Sequence, residues 1–162
     1  MVKFMRLDDR MIHGQVAIRW TKVYAIKTLI VANDVAAANK TQSMVLQMAG
    51  PPGCRVSVMT IADTIKTITD PRAAAMNIMI IATNVRDIYT IAKVAANQIE
   101  RLNFGNLLLD KTDPSYKELT PYVLINDEEK ALIKELWDMG IKMDGQLIPE
   151  EKFIDLEKIL KS

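Results

Sequence analysis

Residues 76–84 read MNIMIIATN. Apolar side chains fill even and odd positions alike from Ile78 to Ala82, as in a strand covered on both faces. Asn84 follows at once and suits the N-cap of a helix, expected through about Gln98. Upstream, CRVSVM at 54–59 alternates as a strand, and residues 61–69 form a short helix that ends before Asp70-Pro71. Gly50-Pro51-Pro52-Gly53 stops an earlier helix that starts from Asn33 or Asp34 and runs to about Ala49. IKTLIVA at 26–32 and VKFMRL at 2–7 are further strands. Between them, Val16, Trp20, Val23 and Tyr24 recur at helical spacing over Gln15–Tyr24.

Downstream the pattern repeats. LNFGNLLL at 102–109 reads as a fifth strand, with Gly105 marking a bend or a close backbone approach. PYVLI at 121–125 is a sixth. Asn126 and Glu129 have the spacing of a capping box, and Leu132, Ile133, Leu136 and Trp137 make the apolar stripe of the helix they open. Gly140 ends it. A last strand is expected within 141–148 and an amphipathic terminal helix over 150–161. Strands alternating with helices imply crossover connections. The expected fold is therefore α/β: one three-layer domain over residues 1–162, with a central, mainly parallel sheet flanked by helices.

Composition narrows the function classes. The formal charge is +1, from 21 basic and 20 acidic residues, and the basic residues are scattered. Nucleic-acid binding asks for a more focused positive field. Cys54 is the one cysteine, so no internal disulfide forms, which fits a reducing compartment. It reads as a small buried residue at the start of a strand. One Cys and one His do not make a structural zinc site. The ten methionines read as core filling. No run of about 20 apolar residues is present, and the N-terminus does not read as a signal peptide, so cytoplasm is the expected compartment.

The chemistry concentrates where the first strand ends. Asp8, Asp9, Arg10 and His13 stand between VKFMRL and the helix from Gln15, and His13 is the only histidine. In a parallel sheet this is the carboxyl edge, where ligands bind. The helix start offers free N–H groups to an anion, and Gly14 lets a ligand come close. The fork of Arg10 suits phosphate oxygens. The carboxylates can orient Arg10, accept an imidazole N–H or cap the turn. A histidine without a Ser or Cys partner acts as a base or as a nucleophile, and in the latter role it carries phosphoryl as a labile phosphoramidate. Neither G-x-G-x-x-G after a strand nor G-x-x-x-x-G-K-[ST] occurs, so no nucleotide or other cofactor is expected.

Residues 6–16, RLDDRMIHGQV, with Trp20 downstream, resemble the signature of the IIB component of the mannose/fructose/sorbose class of the phosphoenolpyruvate-dependent sugar phosphotransferase system. VANDVAA at 31–37, the turn at 50–53 and LWDMGIKMDGQLIP at 136–149 extend the match over essentially the whole chain. The resemblance implies a phosphohistidine at His13, with Nδ1 as the favoured nitrogen, an arginine that assists transfer at Arg10, and Asp9 in the same loop. Gln15 and Trp20 are expected to be architectural. It also implies a IIA phosphocarrier as donor on a separate polypeptide. Membrane IIC and IID subunits would hold the acceptor sugar, with this chain associating peripherally. A homo-oligomer is left open. One departure stands out. The family often has two glycines where this chain has Gly105-Asn106.

Two rival readings fit parts of the sequence. In a receiver-like, magnesium-dependent aspartyl phosphoacceptor, Asp8 and Asp9 would bind the metal while Asp63 and Lys111 served as acceptor and cation; this leaves His13 unexplained. A non-catalytic regulatory module of the same fold would not need the intact DDRMIHGQ stretch. Lys22 and Lys111 are alternative cations should Arg10 not serve.

Overall fold

The computed structural model describes residues 1–108 and 112–161. The strands are β1 (Val2–Asp8), β2 (Thr28–Ala32), β3 (Arg55–Met59), β4 (Ile78–Ala82), β5 (Leu102–Asn106), β6 (Lys117–Thr120), β7 (Val123–Ile125), β8 (Met143–Gly145) and β9 (Ile154–Asp155). The helices are α1 (Gly14–Val23), α2 (Asp34–Ala38), α3 (Lys40–Met48), α4 (Ile61–Thr69), α5 (Val85–Ala95), α6 (Asp127–Asp138) and α7 (Leu156–Leu160). Seven strands form one sheet in the order β3-β2-β4-β1-β5-β8-β9. Every pair is parallel except β8–β9.

β4 lies inside this sheet, between β2 and β1, and all five of its residues are buried. Strand periodicity splits them between two cores. Ile78, Ile80 and Ala82 join Met5, Leu7 and residues of α4, α5, α6 and α7. Met79 and Ile81 join Phe4, Leu29 and Val31 under α1, α2 and α3. The three layers follow from that alternation. On the second face Phe4 stacks on Trp20 with ring centroids 4.4 Å apart, and Trp20 Nε1–H donates to the Leu147 carbonyl at 3.2 Å. These contacts seat α1 directly over β1.

Several elements differ from the sequence expectation. The helix expected from Asn33 to Ala49 is two helices. Asn39 turns extended between them (φ −101°, ψ 103°), and its side chain accepts from the Gln42 N–H at 3.0 Å, so one residue ends α2 and caps α3. The strand at 121–125 leaves the main sheet and pairs antiparallel with β6. The polar KELT of β6 carries no period that announces it. The terminal helix shortens to α7, because Ile154–Asp155 first pairs with β8. Val23 is exposed rather than part of the α1 stripe, whose buried residues are Val16, Ala17, Trp20 and Thr21. Met44, Met48, Met76 and Met139 are also exposed, so core filling describes only part of the methionine set, including Met5, Met79 and Met143. Cys54 is half-buried and precedes β3. The capping box at Asn126 and Glu129 forms as expected. Among the described residues, no helix is long and apolar enough to cross a membrane.

Candidate active site

β1 carries the chain to the carboxyl edge between β4 and β5, and the loop from Asp9 to His13 turns it back into α1. The Met11 N–H donates to the Asp8 carbonyl at 3.1 Å, and Met11 itself adopts φ 61°. A left-handed conformation costs a non-glycine residue about 1–2 kcal/mol. The loop holds this because its two ends are fixed. On one side the Asp9 N–H donates to the Asn106 carbonyl at 3.0 Å. The Asp9 carboxylate accepts from Asn106 Nδ2–H at 2.8 Å and from the Leu108 N–H at 3.2 Å. On the other, Met11 and Ile12 pack against the core under α1.

Asp8 is the hub. Its Oδ1 accepts from the Arg10 N–H at 3.1 Å and from Arg10 Nε–H at 3.0 Å. Its Oδ2 accepts from Arg10 Nη2–H at 3.0 Å and from Arg6 Nε–H and Nη2–H, both at 3.1 Å. Asp8 and Arg6 are each 1% exposed, whereas the Arg10 side chain is 31% exposed. Hydrogen bonding to Asp8 pushes the Arg10 pKa up. Burial pulls that of Arg6 down, and the charge of Asp8 opposes the shift.

His13 is exposed and occupies the N-cap of α1 in an extended conformation (φ −107°, ψ 103°). Its carbonyl accepts from the Ala17 N–H at 3.0 Å, while its side chain makes no capping bond. The first turn of α1 carries no acidic residue. The opening N–H groups of this helix therefore remain available to an anion beside the imidazole. A Cβ on Gly14 would meet nothing within 4 Å, so the approach to this end is open.

The structure thus brings Arg10, His13 and the start of α1 into one loop and gives Asp8 the task of orienting Arg10. Asp9 instead anchors the loop to β5. Asn106, at the departure from the double-glycine pattern, supplies that anchor. Lys22 lies in the last turn of α1, about 12 Å along the helix axis from its start. Lys111 lies outside the described residues. Asp63 sits in the first turn of α4, after β3. β3 is three strands from β1, about 14 Å, so Asp63 does not meet the Asp8–Asp9 pair in the way a receiver-like site requires. Arg6 was not singled out from the sequence as part of the site. The signal was available: Arg6 and Asp8 stand two apart in a strand and therefore share a face, inside an otherwise apolar run.

The comparisons agree with this architecture. The family model described as "PTS system sorbose subfamily IIB component" matches residues 2–162. A Streptococcus pyogenes serotype M6 protein described as "Probable phosphotransferase enzyme IIB component" is 38% identical over 163 residues, covering 99% of each chain. The sorbose-specific EIIB component of Klebsiella pneumoniae is 28% identical, over 98% of this chain and 94% of its own. The crystal structure of the IIB domain of the Klebsiella pneumoniae sorbose permease superposes with a TM-score of 0.87, covering 99% of this chain and 97% of that one. The chain belongs to the sorbose-subfamily IIB components of the sugar phosphotransferase system. Its general role is phosphotransfer within that system.

Proposed function

We propose that the chain is a phosphohistidine carrier, which takes a phosphoryl group from a IIA protein on His13 and delivers it to a sugar held by membrane IIC and IID subunits. The observation that carries this reading is an exposed imidazole, with no hydrogen-bond partner among the described residues, at the open N-terminus of α1, with Arg10 set in the same short loop. In the loading step a His13 ring nitrogen attacks the phosphorus of the donor phosphohistidine. The new N–P bond forms as the donor N–P bond breaks, and the donor nitrogen keeps that electron pair. One ring proton leaves His13 and one is regained by the donor ring. Arg10 and the helix start offset the charge of the transferring group. In unloading, a sugar hydroxyl oxygen attacks the phosphorus; the O–P bond forms as the His13 N–P bond breaks, and the ring nitrogen keeps that electron pair. The hydroxyl proton passes to solvent or a nearby base, and the imidazole regains a proton.

The test is labelling with phosphoenolpyruvate, the general phosphotransferase proteins and a matching IIA. Acid-labile label is expected on the wild type and absent from H13A. Label retained in a folded H13A protein would remove His13 from the role. Stability of that label in alkali also separates this reading from an aspartyl phosphate, an acyl phosphate that hydroxide cleaves.

A further inference from the structure

Resting on the phosphocarrier reading of His13, we infer that Arg6 is a positioning residue: from inside the sheet it neutralises Asp8, so that the charge of Arg10 stays available to the phosphoryl group. Asp8 faces two guanidinium groups with a single carboxylate. One of them is fixed. Arg6 Nη1–H donates to Asn103 Oδ1 at 2.5 Å and to the Gln146 carbonyl at 3.1 Å. Asn103 is held in turn by Asp144 Oδ1 at 2.8 Å and the Gln146 carbonyl at 3.0 Å. The Arg6 guanidinium also lies 5.9 Å from the centre of the Trp20 ring and against Gly105. It has no room to swing.

Arg10 is the solvent-facing partner. It is about one-third exposed and is tied to protein by Asp8 alone among the described hydrogen bonds. The charges around it decide what it can do. Asp144 is paired with Arg101, which leaves, among the described residues, Asp8 and Asp9 as the carboxylates of the loop and Arg6 and Arg10 as their counter-cations. With Arg6 in place that set is neutral before the phosphoryl group arrives. Without Arg6 it carries a net negative charge, and Asp8 is left with Arg10 as its only ion-pair partner among the described residues. Arg10 would then have to abandon a buried carboxylate in order to reach a phosphoryl dianion, which is costly. Arg6 removes that conflict. Lysine at this position would keep the charge but not the fork that spans Asp8, Asn103 and Gln146 together.

The experiment uses the full chain with a matching IIA protein, phosphoenolpyruvate and the general phosphotransferase proteins. The equilibrium fraction phosphorylated at His13 relative to IIA is measured for wild type, R6K, R6M and R6M/D8N. R6M should lower the phosphorylation equilibrium about tenfold, matching a rise of about one unit in the phosphoryl pKa followed by phosphorus NMR. R6K should stay within about threefold of wild type, a difference of less than about half a pKa unit. The decisive arm is R6M/D8N, which removes the uncompensated carboxylate and should recover most of the loss. A purely architectural Arg6 predicts the reverse, because the double variant loses two members of the buried network. R6M equal to wild type, or a folded R6M/D8N no better than R6M, would overturn the role. Should R6M not fold, the titration of phosphorylated wild type decides. Its phosphoryl pKa should lie below that of the phosphorylated loop peptide, and a value at or above the peptide's would overturn the proposal. Failure of the wild type to take label at His13 is a different result, which overturns the carrier reading itself.

Discussion

Arg10 shows how one side chain can be both held and available. Its fork grips both oxygens of Asp8, yet a third of it is exposed. A phosphoryl group on His13 brings nearly two negative charges to a loop that already contains two carboxylates. R10A should therefore slow phosphoryl transfer from IIA by about 10- to 100-fold, in line with the loss of one charge-assisted contact worth about 1.5–3 kcal/mol. Its thermal midpoint should change far less than its rate, since the partner left behind, Asp8, retains Arg6. R10K should restore only part of the rate, because an ammonium cannot reproduce the two-pronged contact. Stopped-flow or quench-flow transfer with denaturation curves on the same samples checks both statements. Unchanged kinetics in R10A would assign the charge to another group. Lys22, at the far end of α1, is poorly placed for that task.

Between elements, β5 fits closely against the side chain rising from β1. A Cβ on Gly105 would stand 2.2 Å from Arg6 Cζ. Arg6 is clamped on both sides and cannot retreat, so G105A should destabilise the fold by about 1–3 kcal/mol, measured by urea denaturation. G105A as stable as wild type would mean that β5 yields easily, contrary to its buried, hydrogen-bonded position. The sequence marks Gly105 as a bend or a close approach, and the approaching group is the Arg6 guanidinium. β4 and the capping box of α6 were legible because the signals lie within a few residues. So was the loop of His13, whose residue types stand together. Asn39 was missed because one asparagine can continue a polar helix face or break it, and only its tertiary setting decides. The Arg6 network was missed for a different reason: its members Asn103, Asp144 and Gln146 lie roughly a hundred residues or more along the chain. No local pattern announces them.

At the scale of the whole molecule, His13 stands exposed at the carboxyl edge of the sheet. A cavity of about 400 Å³ is lined by Lys66, Thr67, Asp70, Arg72 and Met76, around the last turn of α4 and so toward the opposite edge of the sheet. Free sugar should therefore show no appreciable heat of binding to the isolated protein in calorimetry, while phosphoryl transfer to sugar should need the membrane subunits. A dissociation constant below about 1 mM, equivalent to about −4.1 kcal/mol, together with transfer to free sugar, would make this chain the substrate-recognising partner. The buried link from Asp8 through Arg6 to Asn103 and Gln146 also limits what can be borrowed from this molecule. Residues 8–16 look like a portable cassette, short and contiguous, with the reactive ring included. Spliced onto another strand–helix junction, they would carry the imidazole and the solvent-facing arginine but leave behind the cation that balances the aspartate. A designer who wants a working phosphate relay must transplant the floor of the site as well, and that floor is drawn from three distant parts of the chain.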